Sequence, residues 1–283
     1  MAIWQALVLG LVQGLTEFIP ISSTGHLTIV GRWMGLIDPA NPEKWTAFLA
    51  VVQLGTLLAV LWYFLSDIIK IIRGFIVSNL SFGKTVSQDD RLHSKLSWLV
   101  IVGTLPIAIF GLALKNVIEG DITKNLWMIS GSMMGFAVVL FIAEKVGSRK
   151  RGMDSIRWQD AIIVGVSQVF SLVPGASRSG TTISGGLIAG LKRETAARFS
   201  FLLSIPAVAA SGIFELPKAM DSVDTPLWIL ASAIIVAAIS GYLSISFLLR
   251  YLQRNSSLPF VYYRVGLGLI LVILLVSGKV SPN

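Results

Sequence analysis

The reactive side chains of this sequence crowd into two short stretches, each flanked by hydrocarbon. The first, LTEFIPISSTGHL from Leu15, carries Glu17, Ser22, Ser23, Thr24 and His26. The second, PGASRSGTT from Pro174, carries Ser177, Arg178, Ser179 and Thr182. Arg178 poses the sharpest question, because a guanidinium near a bilayer midplane costs at least about 2.5–3.5 kcal/mol. It needs an anion. Gly175 and Gly180 free the backbone to turn, and Thr181 and Thr182 open a short helix whose N–H groups point at the same spot. A fork-shaped cation, hydroxyls and a helix N-terminus together make a phosphate site. The structural alternative is that Arg178 pairs with Glu17 and ties two parts of the chain together. The two readings are compatible.

In the first stretch Gln13 precedes Glu17 by four residues, so both lie on one helix face. Pro20 breaks that helix, and Ser22 to Thr24 begin another, again an end that favours anions. His26 follows Ser23 by three residues and comes within reach of it if the turn is helical. A hydroxyl beside an imidazole, oriented by a carboxylate, is the recipe for an activated nucleophile. The set amounts to an anion cradle, a hydroxyl nucleophile, a proton shuttle and a carboxylate able to hold a divalent cation, which is a phosphatase inventory. Nucleotide hydrolysis is not indicated, since GKT at Gly83 lacks the preceding glycine of a Walker loop. A substrate that reaches so buried a site is itself expected to be lipidic.

The elements that position these groups follow from composition. Hydrophobic residues make up 54% and charged residues 13% of the 283 residues, and mean hydropathy is +0.77. This is the profile of a polytopic, all-α membrane protein. Six apolar runs are long enough to span at about 20 residues each: Trp45–Leu65, Leu96–Leu114, Leu126–Ala143, Phe199–Leu216, Leu227–Leu249 and Phe260–Ser277. Four others, Ile3–Ile19, Thr24–Leu36, Ala161–Val173 and Thr182–Leu191, are short or interrupted by polar groups, and read as two re-entrant helix pairs. The net charge of +8 comes from basic residues in short loops, which are topology and lipid-headgroup signals and not a nucleic-acid surface. With no cysteine there is no disulfide framework, thiolate metal site or thiol nucleophile. The N-terminus lacks a basic n-region and a small-residue cleavage site, so it is expected in the mature protein.

The order of these pieces repeats: two short, three long, then the same again. GLVQGLTEFIPISSTGHLTIVG at Gly10 echoes GVSQVFSLVPGASRSGTTISGG at Gly165, an offset of 155 residues. The chain is therefore expected to be a single membrane domain over 1–283, with repeat one at about 1–145 and repeat two at about 155–283. Three crossings per repeat invert the second relative to the first, the architecture in which broken helices meet near the midplane. Fifteen Lys and Arg fall in the loops Ser66–Lys95, Glu144–Asp160, Lys192–Arg198 and Arg250–Pro259, against six on the other side. The richer side is cytoplasmic by the positive-inside rule, which puts both termini outside. The longest of these loops, Ser66–Lys95, is amphipathic at its start and is expected to rest on the inner interface.

The paired motifs carry a resemblance. Gln13 with EFIPISSTGHL, and PGASRSGTT, resemble the two signature motifs of the bacterial undecaprenyl pyrophosphate phosphatase, or bacitracin-resistance, family, and the likeness runs over essentially the whole chain. It implies removal of the terminal phosphate from undecaprenyl pyrophosphate, giving the monophosphate carrier of peptidoglycan and other envelope glycan precursors. It implies a bacterial plasma (inner) membrane location, bacitracin resistance, and dependence on a divalent cation such as Mg²⁺ or Ca²⁺. Glu17, Ser23, Thr24 and His26 match functional positions of the first motif, and Ser177, Arg178 and Ser179 those of the second. Gln13 stands where some members have Glu, so a single-carboxylate metal site at Glu17, completed by phosphate oxygens, is expected.

On this reading Ser23 attacks the terminal phosphorus, His26 manages the proton, and Glu17 with metal positions or activates the nucleophile. A metal-activated water is the alternative nucleophile. Arg178 binds pyrophosphate with Ser177, Ser179, Ser22, Thr24, Thr182 and Gln13. Access is expected from the periplasm or exterior. Gln53 either joins the site or packs a helix. Arg264 is expected to snorkel to the interface, the alternative being contact with lipid phosphate. Trp45, Trp62, Trp98, Trp127 and Trp228 are expected in an aromatic belt, and His93 in a solvated loop. The rival class is a transporter such as a polyprenyl-phosphate flippase, which needs the same Arg and helix ends but not a Ser–His–Glu set. Oligomeric state, a homodimer included, is not legible.

Overall fold

The computed structural model describes residues 1–80, 86–222 and 226–282. The GKT segment at Gly83 and the side chain of Lys218 lie outside the described residues. No β-strand occurs among the described residues. The chain opens with two short helices, α1 (Ile3–Glu17) and α2 (Ser23–Trp33). Then come α3 (Pro42–Tyr63), α4 (Leu65–Leu80), α5 (Gln88–Ala113), α6 (Lys115–Glu119) and α7 (Leu126–Val146). Two short helices recur as α8 (Trp158–Val169) and α9 (Arg178–Ile188), followed by α10 (Arg193–Ser222), α11 (Leu227–Arg254) and α12 (Leu258–Val276). Six of these, α3, α5, α7, α10, α11 and α12, are long and apolar enough to cross a membrane.

Caps fix several starts. Ser87 Oγ accepts from Asp90 N at 3.0 Å ahead of α5, and Asn125 Oδ1 accepts from Trp127 N at 2.9 Å ahead of α7. The stretch Ser66–Lys95, read from sequence as one loop resting on the interface, holds most of α4 and the first turns of α5. His93 accordingly sits on a helix, half-buried, with Nδ1 2.8 Å from Asp89 O. Its charged neighbours hid the helix from an argument based on apolar runs.

Several helices keep the 155-residue spacing of the sequence echo. Helices α2 and α9 have 11 residues each and are offset by 155 residues at both ends. Helix α1 matches α8 together with the 3₁₀ turn Phe170–Leu172 at the same offset. Pairing exchanges between the halves: α1 packs on α11 and α8 on α5, while α3 packs on α10 and α7 on α12. Glycines allow the exchanged contacts, Gly10 facing the backbone of Ala233 and Gly165 that of Gly103.

Polar hubs tie the helix ends. Glu144 of α7 takes Arg149, Arg193 and Ser257, the last at 2.7 Å from Oγ. At the other end Arg32 donates to Lys124 O at 2.7 Å and to Ser281 O at 3.1 Å. Trp62, Trp98, Trp127 and Trp228 are exposed, as a belt requires. Trp45 is not: it is 4% exposed and packs against Phe48 and Gly31. A tryptophan at a span end looks the same in sequence whether it faces lipid or core.

Candidate active site

Both short helix pairs break in the same way. Ser22 (φ 78°) and Ser177 (φ 72°) occupy left-handed backbone, where a side chain costs on the order of 1–3 kcal/mol. Each Oγ then caps the next helix, accepting from Gly25 N at 3.2 Å and Gly180 N at 3.1 Å. The first residues of those helices, Ser23 and Arg178, are thereby set at equivalent places on two facing N-termini.

Glu17, at the end of α1, joins them. One carboxylate oxygen, Oε1, is ion-paired with Arg178 Nη2. The other, Oε2, accepts from Ser23 Oγ at 2.6 Å and from Gln13 Nε2 at 2.9 Å. Arg178 pairs with Glu17, as the structural alternative required, and also lines a cavity of about 430 Å³. Ser22, Ser23, Thr24, Gln53 and Ser177 line the same cavity, with Glu17 among them. Its far wall includes Lys115, Glu119 and Lys124, from the segment between α5 and α7. Burial pushes the Lys124 ammonium down to about 8, against the pull of Asp121, Glu119 and Glu43. Three backbone carbonyls hold that ammonium, the nearest being Glu119 O at 2.6 Å.

Other expected residues lie behind the cavity. Gln13 is fully buried; its Nε2 also reaches Thr56 Oγ1 at 3.4 Å, and its Oε1 has no hydrogen-bond partner. Thr182 is fully buried, bonded to Arg178 O at 2.7 Å and Ser200 Oγ at 2.5 Å, so it braces α9 from within. Ser179 Oγ contacts Ile19 O and Ser177 Oγ, both at 3.2 Å, and fastens one break to the other.

The structure does not bring His26 to Ser23. His26 Nδ1 lies 2.7 Å from Ser22 O, and Nε2 lies 2.7 Å from Tyr263 Oη. Ser23 turns instead to Glu17, because the helix N-terminus points its first side chain back at the preceding break. The Tyr263 contact joins residues 237 apart in sequence, and no local spacing could have found it.

Arg264 overturns a second expectation. It does not snorkel: it is fully buried. Its guanidinium donates to Met133 O at 3.1 Å, Gly175 O at 3.1 Å, Ala176 O at 2.9 Å and Pro20 O at 3.5 Å. Breaking two helices frees carbonyls that water cannot reach, and Arg264 satisfies them across both breaks at once. The sequence signal was an Arg inside an apolar run, which fits either role.

A hard divalent cation needs oxygen donors. Among the described residues no group of three or more His, Cys, Asp or Glu is placed to hold a metal ion. Glu17 is the carboxylate on the cavity wall that such a cation would meet near Arg178 and Ser23, and Gln13 Oε1 lies buried behind it. Mg²⁺ commonly binds through one or two carboxylates and substrate phosphates.

Residues 6–270 match the family model described as bacitracin resistance protein BacA. The chain is similar to the undecaprenyl-diphosphatase of Syntrophobacter fumaroxidans, 53% identical over 95% of each chain. It is 46% identical to the one of Myxococcus xanthus, over 100% of this chain and 92% of that one. It is 45% identical to the one of Chlorobaculum tepidum over the full length of both.

Proposed function

The chain belongs to the bacitracin resistance protein BacA family, and on that premise we propose that it is a multi-pass membrane undecaprenyl-diphosphatase. It hydrolyses undecaprenyl pyrophosphate to undecaprenyl phosphate and phosphate. One observation carries the reading: Glu17 holds Ser23 Oγ at 2.6 Å and Arg178 in the same carboxylate, on the wall of one cavity. The transporter alternative is set aside, because the full-length relatives are named for the phosphatase and a flippase has no use for a carboxylate-bound serine.

Arg178 and the N-terminal amides of α2 and α9 bind the terminal phosphate and stabilise charge as it develops there. Ser23 Oγ attacks the terminal phosphorus while Glu17 accepts its proton; the bond to the bridging oxygen breaks and undecaprenyl phosphate leaves. Water then hydrolyses the phosphoserine. His26 holds the Ser22 carbonyl and so keeps Ser23 aimed at Glu17. Glu17, with phosphate oxygens of the substrate, would hold a divalent cation, which supplies positive charge against those oxygens.

The exchanged pairing of α1/α11 and α8/α5 supports two repeats inserted in opposite senses, with the short pairs re-entrant. The cavity wall at Lys115 and Lys124 is on the side poor in Lys and Arg, which supports access from the exterior of a bacterial plasma membrane. The test is phosphate release from undecaprenyl pyrophosphate by purified protein, with Mg²⁺ or chelator, together with a search for phosphoserine after acid quench. Metal-dependent release by wild type, lost with the phosphoserine in Ser23→Ala, is expected. Release at the wild-type rate by Ser23→Ala would make water the nucleophile.

A further inference from the structure

A lipid pyrophosphate seated at Arg178 must pass its tail out of the cavity, whose wall carries both charged groups and hydrocarbon. Toward the exterior the lining includes Lys115, Glu119 and Lys124. Between α5 and α10 it changes. There Thr104, Ala108 and Pro206 line the cavity, and the same three residues line a second one of about 450 Å³ on the lipid-facing side. The hydroxyl of Thr104 is turned into its own helix, donating to Val100 O at 2.8 Å, so the shared wall presents no unsatisfied polar side chain. Both helices carry an interior proline there, Pro106 and Pro206, each removing one bond from the helical ladder.

The second cavity is a hydrocarbon groove. Helix α4 contributes Ile71, Ile72 and Phe75, and α5 contributes Val100, Ile101 and Leu105. Helix α4 is pinned along it by Ser97 Oγ, which donates to Ile71 O at 2.9 Å, and by the Phe75–Trp98 contact at 5.4 Å. Bulk lipid covers any apolar helix face; a groove that shares an apolar wall with the anion cavity suits an amphiphile whose head is already bound.

We propose that the polyprenyl tail of the substrate leaves the cavity between α5 and α10 at Thr104, Ala108 and Pro206 and lies in the groove against α4. This rests on the phosphatase reading and adds to it a subsite that selects long isoprenoid chains. The experiment compares kcat/KM for undecaprenyl and farnesyl pyrophosphate in detergent, for wild type, Ile101→Trp, Leu105→Trp and Ile109→Trp. Ile109 is an exposed residue of the same helix that lines neither cavity. Both groove variants are expected to lower the undecaprenyl-to-farnesyl ratio about tenfold, with Ile109→Trp keeping the wild-type ratio. A ratio within about twofold of wild type in both groove variants would overturn the assignment, as would an equal fall in Ile109→Trp; ordinary lipid in the groove gives the first of these results. Hydrolysis of neither substrate by folded wild type would overturn the phosphatase reading, and the tail site with it.

Discussion

The two helix breaks share one backbone and differ in chemistry. Each has a serine in left-handed conformation capping an 11-residue helix, and each has a buried glutamine nine residues before that serine. After the first glutamine comes Glu17; at the equivalent place after Gln168 stands Leu172. The first helix then opens with Ser23, the second with Arg178. One break thus supplies a serine and the carboxylate it donates to, the other the cation paired with that carboxylate. Gln168 shows what was left behind: its amide is fully buried, with neither nitrogen nor oxygen hydrogen-bonded. A duplicated scaffold fixes where helix N-termini meet, and the residues placed on each decide what happens there.

The largest effect is expected where the halves join. Glu17→Gln and Arg178→Met should each lower phosphate release about a thousandfold, as removal of a preorganised charge does; steady-state kinetics on folded protein checks this. Next comes the clasp across both breaks. Arg264→Met leaves carbonyls of Pro20, Gly175 and Ala176 without a donor, and a buried unsatisfied group costs about 1–3 kcal/mol. A marked drop in thermal midpoint in detergent is expected, with activity falling alongside it. Replacing the two glutamines sharpens the contrast. Gln13→Leu should lose about tenfold in activity through Glu17, whereas Gln168→Leu should keep activity and raise the midpoint slightly, since removing an unpaired buried amide relieves about 1–3 kcal/mol of desolvation.

The smallest effect concerns the cavity rim at Lys124, at the helix ends opposite those gathered on the buried anion Glu144. Lys124 has its folded value lowered from 10.5 to about 8 by burial. Between those values the unfolded chain binds the proton more strongly, so stability should rise with pH from about 8 toward 10.5. Below about 8 the full penalty applies. Thermal midpoints at neutral and at alkaline pH should show that rise in wild type and a smaller one in Lys124→Met.

Much of this was legible in the sequence. Six apolar runs placed the spans, because a span depends on local spacing. Glu17, Ser23 and Arg178 stood out as polar groups in hydrocarbon. What spacing did not show was partnership. Ser23 and His26 are three residues apart, yet the helix start turns one toward Glu17 and the other toward Tyr263 of α12. Arg264 read as a residue reaching for the interface because its carbonyl partners come from α7 and from breaks far away in sequence. Helix α4 was read as an interfacial loop because its charged face interrupts the hydrophobic run.

The central claim is that Glu17 and Arg178, one from each half, act as a single phosphate-transferring unit. A double-mutant cycle on kcat/KM with Glu17→Gln, Arg178→Met and the double variant tests it most directly. The double variant should be about as slow as either single variant. Losses that multiply would mean that the two residues act separately, and would contradict the account.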